Sequence, residues 1–445
     1  MLLTSNELAL WQDRAVNGPF RVAGDFSPNS PGHWSEMAAA MSLNFSSQRW
    51  EGPSNIESDG SVALDTDSNS PPNSHASMVL DMYSAALAAR TVGDVSVMRR
   101  IITEIEYQAT RPTLDYGSRT LWPFNKYNDL SPLFKNAAVV RDFVLAYDMC
   151  RSMGETSSVA EQWFLDMAEL CEQIIHANLA GVFPNRKSDS YVSRASFVNG
   201  DHSFESHRLA NGTIIRFPRV MRFYNNRRSN LAGTVGIVGA LMENQFYIDE
   251  FKRYMRELVM FGTRTGTYGG WGDYNRGRGD FPQLGLHYGM HGMEGILPAM
   301  EAIARQGDTS LYEFSSSDGS VDATWGTAQL KTMEEALDQY LKWVAQTWPA
   351  QYTDGGSSTS SAIAGDPFYL VQSLNTGNGR ALVNDGHFMY AALYYNRADW
   401  ADIINRVGTP TGFTSSVQAT WAWTGWRQDR RNRFTRSLSA RPDYS

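Results

Sequence analysis

Val159-Ala-Glu-Gln-Trp163-Phe164-Leu-Asp-Met167-Ala-Glu-Leu170-Cys171-Glu-Gln-Ile174-Ile175-His176 sets apolar side chains at intervals of three and four residues, with acidic and amide residues between them. A helix of 3.6 residues per turn gathers such positions on one face, whereas the two-residue repeat of a strand would scatter them over both. The same spacing recurs over 136–149, with Ala137, Val140, Phe143, Val144 and Tyr147. Further helical segments are predicted at 77–92, 95–108, 229–246, 248–262, 288–305, 328–347 and 387–404. They come in neighbouring pairs joined by loops, without a fixed period. Strand-like alternation is confined to 213–217 and 219–223, which would join as a small hairpin. The expected fold is all-α, a curved array of helix pairs with long loops at one end.

No Pro-rich, Gly/Ser-rich or charged linker divides the 445 residues, so a single domain over 1–445 is expected. Ser-rich stretches at 54–76, 314–322 and 355–361 read as surface loops. The basic segment Arg427-Gln-Asp-Arg430-Arg431-Asn-Arg433-Phe-Thr-Arg436 opens a tail over 427–445, read as a flexible end or an oligomer contact. Cys150 and Cys171 both fall on apolar helical positions and read as buried thiols, neither a disulfide nor a metal site. No run of 18 apolar residues is present, so no membrane span is expected. The first residues lack a basic stretch followed by an apolar one, so the chain reads as a mature or trimmed form, as leaving the cell by another route, virion association included, or as acting inside the cell.

Formal net charge is −8, yet positive charge is concentrated in Arg216-Phe-Pro-Arg219-Val-Met-Arg222-Phe-Tyr224-Asn225-Asn226-Arg227-Arg228. Planar guanidinium forks beside amides suit a carboxylate, and discrete arginine motifs in an acidic chain argue against nucleic acid. A second stretch, Gly269-Gly-Trp271-Gly-Asp273-Tyr274-Asn275-Arg276-Gly-Arg278-Gly-Asp280-Phe281-Pro-Gln-Leu-Gly-Leu-His287-Tyr288-Gly-Met-His291-Gly-Met-Glu294, is rich in Gly, aromatics, Arg and His. It turns helical from Tyr288, so His287 and Tyr288 are expected where a loop feeds a helix. The 13 Trp, 20 Tyr and 21 Phe suit either core packing or stacking on sugar rings.

The Asn225-Asn226 pair before an apolar helical run, and Tyr288-Gly-Met-His291-Gly-Met after an Arg-bearing loop, resemble the two signature regions of the alginate lyase superfamily. Trp11-Gln-Asp-Arg14, Asn17-Gly-Pro19 and Thr120-Leu-Trp122-Pro-Phe-Asn125-Lys126-Tyr127 are similar in flavour, so the resemblance spans roughly 5–400. It implies an (α/α) toroid (incomplete helical barrel) and a polysaccharide lyase acting on a β-1,4-linked polyuronate, poly-β-D-mannuronate or glucuronan. Two departures stand out. Arg227 occupies the place of the family's histidine in Asn-Asn-His, and Phe281 stands where an arginine seven residues before the tyrosine is usual. A single-tyrosine scheme survives both.

Elimination requires that the C6 carboxylate be neutralised, that a base remove the C5 proton and that an acid protonate the departing O4. Asn226 and Arg227, with Arg278, are the expected neutralisers, and Tyr288 the base and acid. An ordinary phenol titrates near 10, so neighbouring cations would have to favour its phenolate. In mannuronate and glucuronate H5 and O4 lie on one side of the ring, so one tyrosine can serve both steps. In guluronate they lie on opposite sides. Substrate-binding candidates are His287, His291, Arg276, Tyr274, Trp271, Arg222, Asn225, His202, His207, Arg119, Lys126 and Tyr127. No cofactor is called for, and the pairs His202/His207 and His287/His291 lack a companion carboxylate motif for a metal. His387 reads as structural, near the start of the last helix.

Two other readings stay open. A glycoside hydrolase on the same scaffold would use two carboxylates from Asp273, Asp280 and Glu294. A non-catalytic polysaccharide-binding or virion-surface module would keep the groove without the chemistry. An extracellular or periplasmic anionic polysaccharide is the expected partner in every case, and oligomeric state is left open.

Overall fold

The computed structural model describes residues 38–48, 73–110, 130–176, 204–208, 214–218, 224, 226–259, 284–316, 331–338, 340–341, 361–362, 370–371 and 388–400, with isolated positions near the N-terminus. Eight helices are named in chain order: α1 Asn73–Val92, α2 Val95–Thr110, α3 Leu130–Arg151, α4 Ser158–His176, α5 Asn226–Met242, α6 Gln245–Glu257, α7 Leu284–Ala304 and α8 Phe388–Tyr394. A short 3₁₀ turn, Phe45–Gln48, packs on α1 and α2.

The helices fall into two rows. One runs α1, α3, α5, α7, α8, each packed on the next; the other consists of α2, lying across α1 and α3, α4, lying across α3 and α5, and α6, packed on α5 and α4. Sequence composition explains the division. Met82–Ala89 of α1, Val139–Cys150 of α3 and nearly every residue of α5 are buried regardless of helical face, as expected of helices covered on all sides. The helices of the second row bury one stripe only: Val97, Met98, Ile101, Ile102 and Ile105 in α2, and Tyr247, Ile248, Phe251, Tyr254 and Met255 in α6. The periodic stretch at 159–176 is therefore an outer helix, α4, with Trp163, Phe164, Met167 and Cys171 inward. Cys150 and Cys171 are both buried and unbridged, and burial pushes both thiols up.

Short, chemically explicit turns join the pairs. Gly93, at φ +79°, ends α1 in a left-handed conformation that costs glycine nothing, and Asp94 then caps α2 by accepting from the Ser96 and Val97 amides. The Ser96 hydroxyl and these amides hold the Asp94 carboxyl below its usual range. Ser157 caps α4 through the Ala160 amide at 3.2 Å. Between α5 and α6, Glu243 takes φ +54° and Asn244 accepts from the Tyr247 amide. This corrects the predicted boundary: a continuous helix over 229–246 breaks at 243–244, because the Asn244 side chain satisfies the first turn of a new helix. The helix also starts earlier, at Asn226, and α7 starts at Leu284.

The small hairpin exists with a different partner. β1 (Phe204–Arg208) pairs antiparallel with β2 (Ile214–Pro218), from Phe204↔Pro218 to Arg208↔Ile214. The predicted pairing of 213–217 with 219–223 would leave Pro218 alone to reverse the chain, whereas Asn211-Gly212 between β1 and β2 is a turn signal. A second pair, β3 (Ser361–Ala362) with β4 (Leu370–Val371), is two residues long.

Beyond α7 a polar and aromatic cluster fixes the following segment. Glu301, fully buried, receives Arg305 at 2.7 Å and the Tyr312 hydroxyl at 2.7 Å. Tyr312 stacks on Tyr394 at 4.1 Å, and Arg397 binds Asp338 and Asp399 while lying 4.6 Å over Trp400. Many of the aromatics among the described residues are thus core and not free platforms. No described helix is long and apolar enough to cross a membrane.

Candidate functional site

The described ends of the two sequence motifs, 226–228 and 284–294, belong to α5 and α7, which touch. Gly233 lies so close to α7 that a Cβ there would sit 1.7 Å from the Gly295 carbonyl oxygen, and a Cβ on Gly295 would sit 2.8 Å from the Asn230 Cα. One turn earlier, a Cβ on Gly292 would be 3.5 Å from the Asn226 Cα. Contacts 295 to 230 and 233, then 292 to 226, advance in the same sense, so the helices run parallel at backbone contact. Position 288 is four residues before Gly292, on the same helical face and about 6 Å further toward the start of α7. Position 288 is therefore in the first turns of α7, about one turn beyond the level at which α5 begins. It lies within α7 and not at its first residue, because the helix begins at Leu284.

Asn226 opens α5 and is buried, Arg227 is half-buried and Arg228 is fully buried. The basic cluster is therefore no solvated face at these positions. Arg227 and Arg228 stand in the first turn of a helix that carries no acidic residue there. The helix dipole puts partial positive charge at the same end.

Three neighbours fix this turn. From α6, the Tyr254 hydroxyl lies 3.1 Å from Ser229 Oγ, and Glu257 accepts from the Tyr224 hydroxyl at 3.3 Å, the two tyrosine rings 5.7 Å apart. From α3, Arg141 Nη1 donates to Asn230 Oδ1 at 3.2 Å, and Asn230 Nδ2 in turn donates to the Asn226 carbonyl at 2.9 Å. From α7 come the glycines. Backbone contact with α7 requires glycine, while the polar contacts with α3 and α6 fix the rotation of α5 about its axis.

Of the predicted residues, Asn226 and Arg227 are at this turn, and His287, Tyr288 and His291 occupy helical positions in the start of α7. Glu294, a hydrolase candidate, is also in α7. His207 lies in β1 opposite Ile215, because residues 204–208 find a strand partner. Arg278, Arg276, Tyr274, Trp271, Arg222, Asn225, His202, Arg119, Lys126, Tyr127, Asp273, Asp280, His387 and the tail over 427–445 lie outside the described residues. Sequence reading missed Arg141, Asn230, Tyr254 and Glu257. Two left a signal: Arg141-Asp142 interrupts the apolar run of α3, and Asn230 follows Asn226 at a four-residue interval.

A groove of about 380 Å³ lies elsewhere, lined by Leu43, Phe45, Arg99, Arg100 and Thr103, with Arg100 tied to the Met41 carbonyl. It brings together none of the amide, guanidinium and phenol positions of the α5–α7 contact. No family model and no curated protein matches the chain.

Proposed function

We propose that this chain is a polysaccharide lyase that cleaves a β-1,4-linked polyuronate, poly-β-D-mannuronate or its C2 epimer glucuronan, by β-elimination. The observation that carries the reading is the contact of Gly292 with Asn226. It supports the reading because α7 touches the Asn226-Arg227 turn at Gly292, about one helical turn from position 288. The first row of helices is read as the inner wall of an (α/α) toroid and the second as its outer layer.

In this scheme Asn226 and Arg227, at the positive end of α5, hydrogen-bond the C6 carboxylate and take up the charge that grows as the C5 proton leaves. Tyr288 removes that proton as a phenolate and returns it to O4 of the departing sugar. The C4–O4 bond breaks as the C4–C5 double bond forms, so no water is consumed and no cofactor is needed. Arg278 is the second proposed donor, and His287 and His291 flank the base. Cations at the start of α5 favour the phenolate form of a neighbouring tyrosine.

The test is Tyr288→Phe, which keeps the ring and removes the proton carrier. Unsaturated product should vanish while polymer binding persists; turnover retained in this variant would remove the assignment.

A further inference from the structure

Asn226, Asn230 and Thr234 stand at four-residue intervals along α5 as one polar stripe, of which Asn230 and Thr234 bond to α3. Thr234 Oγ1 is 2.9 Å from the Ala137 carbonyl and 3.1 Å from the Asn230 carbonyl. Arg141, buried in α3, reaches Asn230 Oδ1, and the Asn230 amide nitrogen reaches the Asn226 carbonyl. The Arg141 Nε also lies 3.6 Å from the Asp142 carboxylate. Both helices are otherwise largely apolar and buried, with Ala137, Val140 and Val144 in α3 and Leu231 and Val238 in α5. A guanidinium in such a place is costly to bury, and apolar residues of similar size would pack there without that cost.

From this stripe, and resting on the lyase reading, we infer that Arg141 is a positioning residue for the elimination, acting through Asn230 on Asn226. An asparagine amide has a donor end and an acceptor end of nearly equal size, so its orientation is set by its partners. Arg141 can only donate, and it therefore commits Asn230 to present oxygen toward α3 and nitrogen toward the Asn226 carbonyl. The first peptide of α5 is held in one orientation, and with it the side chain that meets the substrate carboxylate. Loss of Arg141 removes the donor that holds the Asn230 oxygen, so the amide is fixed less firmly against the Asn226 carbonyl. Misplacement of a carboxylate-binding group affects the step in which charge develops more than it affects binding of a long polymer.

The experiment compares kcat and KM on polymannuronate and glucuronan for the wild-type chain, Arg141→Met, Arg141→Lys, Asn230→Ala and the Arg141→Met/Asn230→Ala double variant. Arg141→Met and Asn230→Ala should each lower kcat about tenfold to a hundredfold with KM near the wild-type value. Arg141→Lys, which restores a donor, should recover much of the loss. The double variant should be no slower than the slower single one, because either change breaks the same chain of bonds. A role in folding alone would lower the melting temperature and leave kcat unchanged. Wild-type kcat in Arg141→Met, or losses that multiply in the double variant, would overturn the inference. Should Arg141→Met fail to fold, Asn230→Ala decides by the same criterion. A wild-type chain that forms no unsaturated product overturns the lyase reading and this one with it, whereas normal wild-type turnover with insensitive variants overturns this one alone.

Discussion

Replacing Gly233 by alanine tests the α5–α7 contact on which the site depends. The added methyl would lie 1.7 Å from the Gly295 oxygen and 2.4 Å from its carbonyl carbon, where ordinary contact begins near 3.4 Å. Neither atom belongs to a flexible side chain, so the helices must part by more than about 1 Å or the substitution must distort one of them. Overpacking of this kind costs about 1–3 kcal/mol and sometimes more, while exchanging glycine for alanine inside a helix returns about 1 kcal/mol. A net loss of up to about 2 kcal/mol is expected, which at about 2.1 cal/mol/K of unfolding entropy per residue lowers the melting temperature of a 445-residue chain by about 2 °C. Gly292→Ala is the internal control, because its methyl would meet Asn226 and Ser229 at 3.5 Å, an ordinary contact. That variant should melt at or slightly above the wild-type temperature. Thermal unfolding followed by circular dichroism compares the two directly. Gly233→Ala melting as high as wild type, or Gly292→Ala falling equally far, would refute the backbone contact.

Arg227→Leu should lower kcat about a hundredfold to a thousandfold in the elimination assay, the range for loss of one donor to a developing oxyanion; an unchanged rate would take Arg227 out of the proposed site. Asn244→Ala removes the α6 cap and should cost about 1 kcal/mol, read as a lower denaturant midpoint with unchanged slope; an unchanged midpoint would mean that this bond contributes nothing. Burial pushes the Tyr147 phenol up to about 12, although the Ser157 amide, donating to the phenol oxygen at 2.7 Å, opposes this, and the hydroxyl also lies 3.0 Å from the Glu161 carboxylate. An unfolded tyrosine titrates near 10, so the stability held by the neutral phenol is complete below that pH and is lost as pH rises from about 10 toward 12. The denaturant midpoint should fall across that window in wild type and fall less in Tyr147→Phe; parallel curves would contradict the assignment.

Helix existence was largely legible in the sequence, because the outer helices carry one apolar stripe and an uninterrupted periodic signal. Inner helices were harder to delimit. In α5 almost every residue is buried, so the pattern has no polar face to mark its ends, and the stop at Glu243 depends on a left-handed residue that its identity does not announce. The beginning of α5 was missed for the opposite reason. Asn226, Arg227 and Arg228 look like solvated loop residues by composition, yet tertiary contacts with α3, α6 and α7 bury this turn.

Asn226 and Arg227 were legible as candidates because cations beside amides have a recognisable chemistry. Arg141 and Tyr254 were not, because each acts through a partner distant in sequence: Arg141 through Asn230, 89 residues on, and Tyr254 through Ser229, 25 residues back. Gly233, Gly292 and Gly295 were not singled out either. A glycine that lets two helices touch has the same local appearance as one that loosens a loop, and only the opposing backbone distinguishes them.

The central claim is tested most directly by ultraviolet absorbance during incubation of the purified protein with polymannuronate, polyguluronate and glucuronan in separate reactions. Elimination creates an absorbing C4–C5 double bond that hydrolysis does not. The account predicts a rise with polymannuronate or glucuronan and none with polyguluronate, whose H5 and O4 lie on opposite sides of the ring. No rise with any of the three, or a rise with polyguluronate alone, would contradict it.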